Sequence, residues 1–133
     1  MPFASAIGVI PYSPAAAGLL SGKYLGQATG RLKTNKMYEA RYGDAWMFEV
    51  AEEYVAFCKE RGLHPVSTAI AWVGTHPAVT APIVGARNVD QLKDSLAAVK
   101  IDMTPSLRAE IADLSRTPAP ATDRTEELKV ARG

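Results

Sequence analysis

The stretch PIVGARNVDQL, residues 82–92, begins as an apolar, β-branched run and turns polar at Gly85, Arg87 and Asn88. Extended back to VTAPIVGA, residues 79–86, it reads as a short strand. Asn88 then stands as the N-cap of a helix that carries Val89, Leu92, Leu96 and Val99 at helical spacing. A strand ending in glycine at the mouth of a helix suits an anion. The missing side chain lets a ligand approach the backbone, and the helix start offers N–H groups at the positive end of its dipole. Arg87 adds a planar donor matched to phosphate. The same residues also read as an ordinary turn with a solvated arginine, and both readings stand at this point.

Working outward, IGVIPY (residues 7–12) is a second short apolar run, bounded by Gly8, Pro11 and Pro14, and reads as a buried strand. From Ser13 to about Gly43 the composition predicts a long loop with one helical turn near Leu19 and Leu20. Asp44 caps a helix carrying Met47, Val50, Ala51, Tyr54 and Cys58, stopped by Gly62. Pro65 opens a second helix through Ala69, Ile70, Trp72 and Val73, ended by His76-Pro77. Thr104-Pro105 opens a last one with Leu107, Ile111 and Leu114, and the proline-rich, charged segment 116–133 is expected to be a mobile tail. Two strands separated by helices imply parallel pairing through a right-handed crossover. A parallel pair alone leaves open edges, so the pattern predicts part of a larger sheet.

The bulk numbers restrict function little. With 47% hydrophobic and 22% charged residues among 133, and a formal net charge of +1, nothing points to nucleic acid, a membrane surface or an acidic partner. The lone Cys58 lies in a helical pattern and reads as a core residue. No run approaches the ~20 apolar residues of a membrane span, and the start lacks a secretory pattern, so a cytoplasmic location is expected. GLLSGKY, residues 18–24, fails as a P-loop, with three residues between its glycines and Tyr24 after Lys23. The two histidines have no metal-ligand neighbour at usable spacing and take helix-boundary positions, and Glu52-Glu53 fall on a solvated helix face.

VIPYSPAAAGLLSGKY (9–24), AIAWVGTHPAVTAPIVGARNVDQLKDSL (69–96) and IDMTPSLRAEI (101–111) together resemble the C-terminal part of an aldo-keto reductase, over residues from about 7 to 124. The resemblance implies an α/β fold, the C-terminal portion of a (β/α)8 TIM barrel. Its strands seven and eight, with their helices, would fall in residues 1–115 as an incomplete, cofactor-binding barrel half, and residues 116–133 would be the tail. It also implies NADP(H). Tyr12 matches the aromatic ring that stacks under the nicotinamide; Ser13, Pro14 and Ala15 match the turn on the pyrophosphate side. Gly18 and Lys23 match the end of that loop, and Arg31 a basic residue of a cofactor-covering segment. Gly85, Ala86 and Arg87 match the surroundings of the adenosine 2′-phosphate, and Gln91 and Ser95 positions that face the adenine. Ser95 departs from the usual asparagine.

The family reduces carbonyls by hydride transfer with an Asp, Tyr, Lys, His tetrad, in which the tyrosine is the general acid. None of the tetrad motifs occurs here, and 133 residues are about half of the ~250 of a barrel. The chain is therefore expected to hold the dinucleotide, to be inactive alone, and to need a complementary N-terminal barrel chain or to self-associate through open sheet edges. The alternatives are a non-catalytic nucleotide-binding or oligomerising module and an inert truncated gene product.

Overall fold

The computed structural model describes residues 7–25 and 36–117. Among the described residues five α-helices follow one another: α1 (Lys36–Tyr42), α2 (Ala45–Glu60), α3 (Pro65–Gly74), α4 (Val89–Leu96) and α5 (Pro105–Ala112). Two 3-10 segments, Ala16–Ser21 and Ala97–Lys100, precede α1 and continue α4.

Local chemistry explains the boundaries of α2 to α5. At the end of α2, Gly62 takes φ +66°, a left-handed conformation that costs side-chain-bearing residues about 1–2 kcal/mol. Around it the Leu63 N–H donates to Cys58 O at 2.8 Å and the Gly62 N–H to Lys59 O at 3.2 Å, which satisfies carbonyls the helix would leave unpaired. Pro65 and Pro105 each sit in a first turn, where the missing N–H costs nothing. Asn88 Oδ1 accepts from the Gln91 N–H at 2.9 Å, and Thr104 Oγ1 from the Leu107 N–H at 3.1 Å, both as N-caps. The helix α1 lies inside the stretch expected to be loop.

The core is built on α2 and α3. Ala51, Tyr54 and Cys58, spaced three and four apart on one face of α2, are buried. Ala51 meets Leu19 and Tyr24 of the 3-10 loop, while Tyr54 and Cys58 meet Ala69 of α3 and the half-buried Ile111 and Leu114 at the end of the chain described. A third cluster joins Ile70 and Ala71 to Ala98, with Ile101 and Met103 against it. Tyr54 Oη donates to the Pro65 carbonyl at 2.7 Å, tying α2 to the first turn of α3.

The expected C-terminal portion of a (β/α)8 barrel, with strands seven and eight, is not what forms. The described residues are mostly helical and contain no strand; segments 7–12 and 79–86 meet only through two isolated parallel bridges, Val9 with Val79 and Tyr12 with Ile83. The bridged positions are three residues apart on one segment and four on the other, so one residue is extra and a regular ladder cannot run between them. Pro11 and Pro82 also lack the N–H a ladder needs. Only the Thr80 N–H to Val9 O and the Ile83 N–H to Pro11 O bonds, both 2.8 Å, join the two segments. Nor are they buried: Ile7, Ile10 and Ile83 are all exposed.

A second correction concerns α4. Val89, Leu92, Leu96 and Val99, the periodic apolar positions, all face solvent, while Ser95 and Ala98 are the buried ones. The reason lies in the neighbour. Small residues let α4 approach α3 closely, and Ser67 Oγ of α3 donates to the Asp94 carbonyl at 2.6 Å across that seam.

Candidate dinucleotide site

Both bridged segments run the same way, so the turns that leave them emerge at one end. The Tyr12–Ile83 bridge places the YSPA turn beside the GARN turn, and that is what the tertiary structure adds to the two motifs.

The first turn is strained. Ser13, Ala16 and Ala17 all have φ between +51° and +56°, and Gly18 follows at +91°. Left-handed residues that are neither glycine nor asparagine persist only where the surroundings impose them, and such strain gathers at functional sites. Here the constraint is visible. Leu19 and Tyr24 are buried against Ala51, the Ala16 N–H donates to Ser13 O at 2.9 Å, and Ser21 Oγ donates to Gly18 O at 2.6 Å. Lys23 folds back over Gly18. A Cβ built on Gly18 would lie 2.5 Å from Lys23 Cε and 2.7 Å from its Nζ, so a side chain there would push the lysine aside, and the φ of +91° independently favours glycine. The ammonium is also 5.1 Å from the centre of the Tyr24 ring.

At the second turn Gly85, Ala86 and Arg87 are exposed, and no atom stands within 4 Å of where a Gly85 Cβ would be. Gln91 Oε1 accepts from the Arg87 N–H at 2.9 Å while the Gln91 N–H is held by Asn88. Two of the N–H groups at this turn are thus engaged inside it, and the exposed Arg87 side chain adds a cationic donor there. Ser95 Oγ donates to the Gln91 carbonyl at 3.1 Å and is buried toward α3, while Gln91 itself is exposed. Tyr12, Ser13, Pro14, Ala15, Gly18 and Lys23 therefore share one loop, and Gly85, Ala86, Arg87 and Gln91 lie on the adjoining one. Arg31 lies outside the described residues.

One residue was missed from the sequence. The Arg41 guanidinium of α1 lies 5.8 Å from the centre of the Tyr12 ring, and Tyr12 is 62% exposed. The only signal was YEARYG (residues 38–43), which sits just before the Asp44 cap and was absorbed into the long loop.

Behind the strained turn is an apolar cavity of about 190 Å³, lined by Pro14, Leu20, Trp72, Val73 and Ile111 among others. His64 serves structure rather than chemistry: its Nδ1 caps α3 by accepting from the Ser67 N–H at 3.4 Å, and its Nε2 lies 3.6 Å from Asp94 Oδ2. Ser67 beside it is buried; its Oγ lies 3.3 Å from His64 Nδ1 and donates to the Asp94 carbonyl at 2.6 Å. No helix among the described residues is long and apolar enough to cross a membrane.

An exposed aromatic ring, cationic side chains and a strained glycine-bearing turn stand on two adjoining turns, donors and a flat apolar face of the kind a phosphate-bearing ligand with a ring can use. Comparison with known proteins places the chain more closely. The pattern of the Aldo/keto reductase family matches residues 2–116, and the chain belongs to that family. It is 34% identical over 116 residues to the uncharacterized oxidoreductase YrpG of Bacillus subtilis, covering 87% of this chain and 34% of that protein. Protein tas of Escherichia coli is 30% identical over 105 residues, 77% of this chain and 30% of its own length. The versiconal hemiacetal acetate reductase of Aspergillus parasiticus is 30% identical over 107 residues, 76% and 30% of the two chains. The chain spans about a third of the length of these curated relatives. The match begins at residue 2, in the N-terminal part of this chain. The expected assignment to a C-terminal part is corrected accordingly, to family membership over residues 2–116.

Proposed function

We propose that this chain binds NADP(H) and takes part in the reduction of aldehydes or ketones to alcohols, as a member of the aldo/keto reductase family. The observation that carries the reading is the parallel Tyr12–Ile83 bridge, which sets the strained YSPA turn and the GARN turn side by side. Tyr12 offers its ring to the nicotinamide, and Ser13, Pro14, Ala15, Gly18 and Lys23 frame the pyrophosphate. The Arg87 guanidinium holds the 2′-phosphate and so selects NADP over NAD, and the exposed Gln91 borders the adenine, while Ser95, buried and bonded to the Gln91 carbonyl, does not reach the ligand. The bound cofactor supplies the hydride.

Titration of the full chain with NADPH, followed by its fluorescence, tests the proposal. Saturable binding is expected, with a loss of roughly tenfold or more in Arg87→Ala, the size of a lost charge-assisted contact to phosphate. NADH should be bound about as weakly by the native chain as NADPH is by Arg87→Ala. Absence of saturation, or an unchanged Arg87→Ala, defeats the reading.

A second reading, association with another polypeptide or a second copy through the bridged segments, is favoured by the exposure of Ile7, Ile10 and Ile83.

A further inference from the structure

We infer that Arg41 is a specificity-determining residue of the proposed site: its guanidinium covers the Tyr12 ring and is displaced by the nicotinamide end of the ligand. This rests on the reading that Tyr12 receives that ring.

Both members of the contact are held by their backbones. Tyr42, next to Arg41, is half-buried against the Leu19, Tyr24 and Ala51 cluster, which fixes the last turn of α1. Tyr12 is fixed by its bridge to Ile83 and by the left-handed Ser13 that follows. The guanidinium at 5.8 Å from the ring centre is within the range over which a planar cation is attracted to the negative face of an aromatic ring. That attraction must be given up before another flat ring can take the same face. The phosphates and adenine do not use this face, so they carry none of that cost.

Removing Arg41 has two effects that differ in scope. Loss of its positive charge weakens every phosphate-bearing ligand alike. Freeing the Tyr12 face strengthens only a ligand that carries the nicotinamide ring. The ratio of two affinities isolates the second effect.

The experiment is a calorimetric titration of the full chain, native, Arg41→Gln and Arg41→Ala, with NADPH and with 2′-phospho-ADP-ribose, which lacks the nicotinamide. The preference for NADPH over the shortened ligand is expected to rise roughly two- to fivefold in both variants, the size of an exposed cation–π contact. In a Tyr12→Leu background the same Arg41 changes should leave the ratio alone. Arg41→Gln keeps a good helix former in α1, and its helix content is checked by circular dichroism. If both ligands bind and the ratio is unchanged or falls, the role of Arg41 is overturned and the site stands. A ratio that still moves without Tyr12 also overturns it. If neither ligand binds any of the proteins, the site reading fails and takes this inference with it.

Discussion

Trp72 and Arg108 hold each other from both sides. The indole Nε1–H donates to the Arg108 carbonyl at 3.2 Å, and the Arg108 guanidinium donates to the Trp72 carbonyl at 2.5 Å while lying 4.6 Å from the indole ring centre. The same Nη1 reaches Thr75 Oγ1 at 3.0 Å, so one arginine closes the C-terminal end of α3 against α5. Arg108→Met keeps the stem and removes two hydrogen bonds and the cationic contact with the indole, and is expected to cost about 2 kcal/mol. Arg108→Lys should recover less than half of that, because an ammonium cannot donate in the plane of a fork and stack at once. Urea denaturation of the three proteins checks both values.

Tyr54 predicts a loss of stability in alkali. Burial, with the Cys58 thiol beside it, pushes the phenol well above its usual range, so the folded chain keeps Tyr54 protonated while the unfolded chain ionises near pH 10. Stability from this residue is complete below about pH 10 and declines as pH rises beyond it, by up to about 1.4 kcal/mol per pH unit. Burial raises the Cys58 thiol in the same direction, which adds a loss that sets in at lower pH, from about pH 8.5. Tyr54→Phe should be less stable at pH 7, by about 1 kcal/mol for the bond to Pro65, and its alkaline decline should be shallower. Melting the two proteins between pH 7 and 11 measures the difference, and equal slopes would refute this account.

The exposed stripe on α4 predicts association. Leu96 is 59% exposed and Val99 86% exposed, and both sit on the same face as Val89 and Leu92. Replacing Leu96 and Val99 by serine should change folding stability by less than about 0.5 kcal/mol each, as surface substitutions do. If these positions meet another polypeptide, the double variant will shift toward a smaller species in light scattering at high concentration. A native chain that is already monomeric there would exclude this surface.

Most of the helical framework was legible before the structure, because its punctuation is local. Gly62 ends α2, Pro65 and Pro105 open α3 and α5, and Asn88 and Thr104 cap from one side chain each. The two expected strands do not form, and the reason was not legible in the sequence. Their apolar residues announce a sheet, but a sheet is made by partners, and the extra residue between the two bridges is visible only once both segments are placed. The α1 helix was hidden by a composition that reads as loop.

The candidate site divides along the same line. By itself the sequence determined the chemistry available at each position: an aromatic ring at Tyr12, a lysine at Lys23, an arginine at a helix start. Only the tertiary structure decided which of these meet. It set the two turns at one end of a parallel pair, turned Ser95 inward and Val99 outward, and laid Arg41 over Tyr12. Caps and turns depend on a few neighbours along the chain. Burial and contact depend on which surface arrives opposite, and that is settled by packing between residues far apart in the sequence.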